Sequence, residues 1–160
     1  MRIVVIGSGK LGGSLAKSLI GEGHEVTVID RSDAVLQRGM DTLDALFIKG
    51  SGVSVETLTE ADVQHADIVI AATAGDEVNM LSCLTAKRLG AQYTIARIRD
   101  PEYLNSLSFL QKELYIDYVI NPERSTAREI SRMLRFPFAG EVETFARGRV
   151  EMVDFRAAEG

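Results

Sequence analysis

Ile3-Val4-Val5-Ile6-Gly7-Ser8-Gly9-Lys10-Leu11-Gly12 stands at the head of the chain, and 18 residues past Gly12 the run Val26-Thr27-Val28-Ile29 closes on Asp30. An apolar strand, a glycine turn, a helical stretch and a second apolar strand ending in a carboxylate make up a nucleotide-binding βαβ unit. Each glycine has its own task in that reading. Gly7 permits the tight turn out of the strand, Gly9 lets backbone approach a pyrophosphate, and Gly12 lets helix and strand pack closely. Phosphate then rests on the free amides of the helix N-terminus, with Ser8, Lys10 and Leu11 completing the loop; the Lys10 ammonium either serves phosphate or projects into solvent. Asp30 can accept hydrogen bonds from both ribose hydroxyls of an adenosine, which favours NAD or another unmodified adenine nucleotide over NADP. Arg31 could receive a 2′-phosphate, but the Asp30 carboxylate beside it would repel one.

Composition sets the outer bounds. With 160 residues, 46% hydrophobic and 26% charged, the chain reads as one globular domain with a sizeable core and room for an appendage. A net charge of −5 argues against nucleic acid and against an anionic membrane surface, both of which want clustered Lys and Arg. The longest apolar runs, such as Ile68-Val69-Ile70-Ala71-Ala72, are strand-sized, so no bilayer span or signal peptide is expected and the chain reads as cytoplasmic. The single Cys83 sits in an apolar helical run and reads as a reduced core thiol.

Apolar runs at 2–6, 25–29, 45–48, 67–72, 93–98 and 116–120 alternate with amphipathic stretches. This predicts an α/β fold: a Rossmann-like, doubly wound parallel sheet of about six strands with helices on both faces. A helix over 10–21 would bury Leu11, Leu15, Leu19 and Ile20, and one over 76–89 would bury Val78, Leu81, Leu84 and Leu89, with Gly90 as its stop. Asn121-Pro122-Glu123 has the form of an N-cap, a proline at the first helical position and a first-turn acid, opening a helix that runs to Arg135 and stops at Pro137. Beyond it, 141–145 and 149–155 joined around Arg147-Gly148 predict a C-terminal β-hairpin extension with no core of its own. The expected division is a nucleotide-binding domain over 1–136 and the start of an incomplete C-terminal subdomain over 137–160.

The remaining strand ends supply the other candidates. Gly50-Ser51-Gly52 could line the adenine side of the pocket or form a plain strand-to-helix turn. Thr73-Ala74-Gly75-Asp76-Glu77 could offer amides and the Thr73 hydroxyl to phosphate or ribose, while Asp76 and Glu77 suit the positive end of a helix dipole. Asn79 reads as first-turn surface or pocket wall. Arg97 and Arg99 lie two apart, on one side of a continuing strand, and suit bidentate phosphate contact; the alternative is a solvated strand end with Arg paired to Asp100. Catalytic groups are missing from this pattern: His24 and His65 each precede a strand, and no metal-spaced Cys/His cluster or nucleophile elbow occurs. An NAD-dependent oxidoreductase would need a substrate domain after residue 135, so that alternative survives only as its cofactor-binding half. A transcriptional regulator would need a helix-turn-helix or basic patch, and neither is legible.

The glycine loop 7–12, Val28-Ile29-Asp30, Ala72-Thr73 with Asp76-Glu77-Val78-Asn79, Ile95-Ala96-Arg97 followed by Asp100-Pro101-Glu102-Tyr103, and Asn121-Pro122-Glu123 together resemble the RCK, or KTN, regulatory domains of Trk/Ktr-type potassium uptake systems. The resemblance covers about residues 1–136, and the tail from Arg135 to Glu151 is similar to the start of the subdomain that follows the Rossmann unit in Trk-type peripheral subunits. It implies a non-enzymatic subunit that binds NAD(H) or ATP/ADP and gates a membrane potassium transporter from the inner face of the cell membrane. By position, the loop 7–12 would hold phosphates and Asp30 the ribose, with Ser51 and Gly52 bordering the adenosine, Thr73 and Ala74 lining the pocket, and Arg97 at the phosphate end. At Ser51 the chain departs from the many relatives that carry an acid there. The resemblance also implies a homo-oligomer, a dimer or larger ring, for which the 122–135 helix with Ala127, Ile130, Met133 and Leu134 on one side is the candidate contact or else an ordinary core helix.

Overall fold

Six strands, β1 (Arg2–Ile6), β2 (Glu25–Asp30), β3 (Leu46–Lys49), β4 (Ile68–Ala71), β5 (Tyr93–Arg97) and β6 (Tyr118–Ile120), pair in the order β3-β2-β1-β4-β5-β6, every pairing parallel. The computed structural model describes residues 1–135, 139–145 and 150–155. It divides into two compact units, Met1–Asn121 and Pro122–Gly160. From β1 the chain winds outward to β3, returns to β4 on the other side of β1, and winds outward again to β6. The reversal between β1 and β4 opens a crevice at their carboxyl ends, where doubly wound sheets bind ligands.

The pleat explains the two-layer core. Successive side chains of a strand face opposite sides, so Ile3 and Val5 enter one apolar cluster while Val4 and Ile6 enter the other. With both faces covered, β1 has no room for polar residues, which is why it reads as an unbroken apolar run. On the first face lie Ala16, Leu15, Leu19 and Ile20 of helix α1 (Lys10–Gly21); the last three belong to the face expected of that helix, whose fourth member, Leu11, is not part of this cluster. On the second lie residues of α3 (Val55–Glu60), α4 (Asp76–Leu89), α5 (Pro101–Asn105) and α6 (Leu107–Glu113); α2 (Asp33–Met40) contributes the buried Leu36.

Helix α4 corrects the sequence expectation. The buried face is Asp76, Asn79, Met80, Ser82, Cys83 and Ala86, and Leu81 is 49% exposed. The small Ser82, Cys83 and Ala86 let the helix sit close to β4 and β5, while Asp76 and Asn79 turn inward to polar groups of the neighbouring turns. Cys83 is the core thiol expected of it, and burial pushes its pKa up to about 12.

In the second unit, α7 (Pro122–Arg135) is followed by β7 (Ala139–Phe145) and β8 (Val150–Phe155), which pair antiparallel with Val142 opposite Val153. The second unit begins with α7 at Pro122, and the sequence reading placed its division at 136/137. The expected helix stop at Pro137 and the turn at Arg147-Gly148 lie outside the described residues. Among the described residues no helix is long and apolar enough to cross a membrane.

Candidate functional site

Gly7 follows β1 with φ of +93°, a conformation that L side chains rarely adopt. Its amide donates to the Ile29 carbonyl at 2.8 Å, which seats the turn between β1 and β2. A Cβ on Gly7 would lie 2.9 Å from the Thr73 Cα and N, so the β4 turn abuts the glycine turn directly. A Cβ on Gly12 would overlap the Gly7 carbonyl oxygen, which ties the helix start to the turn. Around Gly9 the situation is reversed: a Cβ there would meet no atom within 4 Å. Of Gly7, Gly9 and Gly12, the open one is the one to which the sequence reading assigned the pyrophosphate.

Helix α1 begins at this opening without a side-chain cap and without an acid in its first turn. Its first amides have no acceptor within the helix. The other helices that follow strands β2 to β5 are finished differently. Asp33 lies in the first turn of α2, the Ser54 hydroxyl accepts from the Thr57 amide in α3, Asp76 and Glu77 open α4, and Asp100 accepts from the Glu102 amide at 2.8 Å in α5.

Asp30, at the end of β2, reaches back over the turn. One carboxylate oxygen accepts from the Ser8 amide at 2.7 Å and the other from the Ser32 amide at 2.9 Å. The carboxylate therefore sets the height of the glycine loop and keeps spare acceptor capacity, since each oxygen carries two lone pairs. Beside it, Arg31 is exposed and donates to the Ser51 hydroxyl at 2.7 Å, which joins the ends of β2 and β3. Gly52 is buried, and a Cβ there would overlap the Ile6 side chain, so this turn presses against the end of β1. Lys10 is exposed and Leu11 half-buried.

On the far side of the switch point the chain satisfies itself. The Thr73 hydroxyl donates to the Asn79 Oδ1 at 2.7 Å, so its proton faces inward and not toward the crevice, contrary to the expectation that it is offered to phosphate or ribose. Asn79 is fully buried, not the surface or wall residue its position suggested. The buried Asp76 accepts from the Arg99 and Asp100 amides at 2.7 and 2.8 Å. Arg99 pairs with Asp76 at 3.5 Å and with the Ala74 carbonyl, so it closes one loop on another and Asp100 is not its partner. Glu77 accepts from the Tyr103 hydroxyl at 2.6 Å. That bond, with the Glu77 amide, holds the Glu77 carboxyl below its usual range against burial and the Asp76 charge, and pushes the Tyr103 hydroxyl up to about 12. Ala74 is exposed and, with Asp76, Arg99 and Tyr103, lines an open cleft of about 350 Å³ that does not include the glycine turn. Arg97 is half-buried at the end of β5, opposite Ile120 in register.

The structure thus brings Gly7, Ser8, Gly9, Lys10, Leu11, Gly12, Asp30, Arg31, Ser51, Gly52, Thr73, Ala74 and Arg97 to the carboxyl edge of β1 to β5. His24 and His65 precede β2 and β4 and so lie at the opposite edge, where His65 meets Asp62 at 2.7 Å. Among the described residues no group of three His, Cys, Asp or Glu could hold a metal ion. The sequence reading missed Asp76 and Asn79 as structural anchors. Their spacing of three, which puts both on one side of a helical first turn, is the signal that could have found them.

Residues 3–122 match the family described as the TrkA-N domain. A Trk system potassium uptake protein TrkA homolog of Archaeoglobus fulgidus is 39% identical over 160 residues, which are all of this chain and 36% of that protein. A homolog of the same description from Methanothermobacter thermautotrophicus is 34% identical over 96% of this chain and 69% of its own length. The chain therefore spans about a third of the first relative and about two thirds of the second. Among solved structures, the TrkA-N domain of the inner membrane protein YbaL from Escherichia coli superposes with a TM-score of 0.73 at 19% identity, covering 83% of this chain and 96% of that one. The GsuK channel bound to NAD gives 0.63 at 20% identity, covering 74% and 21%. GsuK bound to ADP gives 0.68 at 22% identity, covering 85% and 34%.

Proposed function

This chain belongs to the TrkA-N domain family, and on that premise we propose that it is a nucleotide-binding regulatory module of a potassium uptake system. The ligand is an adenine nucleotide, NAD(H) or ATP/ADP. The observation that carries the reading is the N-terminus of α1, open at Gly9 and uncapped while its neighbours are capped or acidic, with Asp30 alongside. An anion at that N-terminus is favoured by the helix dipole and by unused amides. The glycine loop 7–12 holds phosphates and Asp30 accepts from a ribose hydroxyl through its spare lone pairs. Ser51, Gly52 and Arg31 border the adenosine, Thr73 and Ala74 form the wall, and Arg97 lies toward the phosphate end. Two solved structures of this fold are described as bound to NAD and to ADP, which supports both ligand classes.

The role is regulatory and not catalytic. Both histidines lie at the sheet edge away from the site, and the relatives named for Trk potassium uptake support a membrane potassium transporter as partner. The module sits at the inner face of the membrane through that partner. Nucleotide gates the transporter by binding two arrangements of paired modules unequally, as any ligand-driven shift requires. The pairing is between copies of this chain, with α7 as the contact, and the second unit begins a C-terminal subdomain.

Equilibrium titration of the purified chain with NADH, ATP and ADP tests the reading. Saturable binding by at least one is expected, and Gly9→Ala should fold normally yet bind about tenfold more weakly, the loss expected when a backbone approach is blocked. Absence of saturable binding below about millimolar, or about −4 kcal/mol, removes the proposal.

A further inference from the structure

We propose that Asn79, buried out of reach of any ligand, is the positioning residue that sets nucleotide affinity, by holding the Thr73 wall against the glycine turn and fixing that wall to the end of β5. The inference rests on the nucleotide reading above and adds a residue that reading does not use.

All of the hydrogen-bonding capacity of the Asn79 amide is engaged. Its Oδ1 accepts from the Thr73 amide at 2.8 Å and from the Thr73 hydroxyl at 2.7 Å. Its Nδ2 donates to the Thr73 carbonyl at 3.3 Å and to the Arg97 carbonyl at 2.9 Å. The orientation is chemically forced. A backbone amide can only donate and a carbonyl can only accept, so oxygen must face the Thr73 amide and nitrogen the Arg97 carbonyl. One side chain, with relative exposure of 0%, therefore stands in for a missing piece of sheet between the ends of β4 and β5, past the last paired residues Ala71 and Ala96.

The consequence reaches the ligand through Thr73. The backbone of Thr73 lies where a Cβ on Gly7 would be 2.9 Å from it, so the position of Thr73 limits how the turn that carries Gly9 can sit. A hydrophobic residue at 79 would pack on the sheet but take away the acceptor of the Thr73 amide and the donor that reaches the Thr73 and Arg97 carbonyls, leaving the Thr73 hydroxyl only the Gly75 carbonyl at 3.3 Å. Such orphaned groups relax by moving toward water, and here that motion opens the wall behind the glycine turn.

Asn79→Asp gives a test that a merely structural role would not pass. The carboxylate keeps the acceptor for Thr73 but sets a second acceptor against the Thr73 and Arg97 carbonyls. Titration with NAD and with ADP at about pH 8 should show affinity lower by about tenfold or more, the loss expected from unpartnered buried groups. Toward about pH 5 the buried carboxyl, its pKa raised by desolvation, takes up a proton and supplies one donor again, so affinity should recover in part. Asp76 and Glu77 on α4, Arg97 at the end of β5 with Arg99 and Asp100 beyond it, and Lys10 and Asp30 by the glycine turn are common to both proteins. The wild-type chain measured over the same range therefore accounts for their titration and for that of the nucleotide phosphates.

Should Asn79→Asp fail to fold, Asn79→Ala leaves space for water and is expected to show the tenfold loss at every pH without recovery. Wild-type affinity in a folded Asn79→Asp or Asn79→Ala variant overturns this inference and leaves the nucleotide reading intact. A wild-type chain that binds neither NAD nor ADP overturns both.

Discussion

The N-termini of α1 and α4 follow adjacent strands of one sheet and are completed in opposite ways. At α1 a glycine turn leaves the first amides uncapped, no acid offsets the helix dipole, and the space over Gly9 is open. At α4 two acids occupy the first turn, and Asp76, Glu77 and Asn79 bind the backbone or side chains of the neighbouring turns. Both helices start at a glycine without a side-chain cap, so the difference lies in charge: the dipole of α1 meets no acid of its own, and that of α4 meets two. The two turns also touch: Thr73, held by Asn79, is the surface against which Gly7 is packed.

The contrast is broken most severely at Gly12. In Gly12→Val the added carbons overlap the Gly7 carbonyl oxygen, so either α1 or the turn must move. Overpacking of this kind costs about 1–3 kcal/mol, and the displaced turn should no longer bind nucleotide. Denaturant unfolding measures the first effect and calorimetric titration with ADP the second. Nucleotide affinity equal to that of the wild type would show that the glycine turn is not the site.

Asp76→Ala tests the other terminus. It strands the Arg99 and Asp100 amides and removes an ion-pair partner of Arg99, on a side chain that is only 6% exposed. A loss of about 1–3 kcal/mol in unfolding free energy is expected, because two part-buried backbone donors lose their shared acceptor. Nucleotide affinity of the folded variant should change by less than about threefold, well under 1 kcal/mol. A loss as large as that of Gly12→Val would mean that α4 meets the ligand directly and that the two termini share one task.

These two termini also mark what the sequence discloses and what it hides. The parallel sheet of about six strands, the tight turn at Gly7 and the place of Asp30 at a strand end were legible because each follows from a local rule: apolar runs of strand length, a residue that tolerates positive φ, a carboxylate closing an apolar run. The inward face of α4 was not legible from hydropathy. Asp76, Asn79 and Ser82 are buried there while Leu81 is outside, an arrangement decided by how closely the helix approaches the sheet and by which loop groups need partners. Thr73 and Arg99 were misread for the same reason. A hydroxyl or a guanidinium at a strand end looks available for ligand until the fold supplies Asn79 Oδ1 or the Ala74 carbonyl as an internal partner. Groups that serve a ligand and groups that serve the loop holding it use the same residue types, and only their tertiary partners separate them.

The smallest expected effect lies at the rim of the internal clasp, in Tyr103→Phe. The Tyr103 hydroxyl donates to Glu77 at 2.6 Å, and this bond is the main cause of the lowered Glu77 pKa. Because the folded value is depressed, the contribution of the contact is fully present above the usual carboxylate range and is lost as pH falls through the lowered value. The tyrosine side has the opposite sign. Its pKa is raised to about 12, so its contribution is intact below the ordinary tyrosine value and disappears as pH rises toward that figure. Removing the hydroxyl should therefore move the Glu77 carboxyl up toward its ordinary value, which a carboxyl-carbon NMR titration reads directly. Thermal stability at neutral pH should barely change, because an exposed hydrogen bond exchanges almost evenly with water. A Glu77 pKa that stays where it is would mean that the clasp does not close in solution at its rim. The internal satisfaction of α4 would then rest on Asp76 and Asn79 alone, and the difference between the two helix termini would narrow to those two buried side chains.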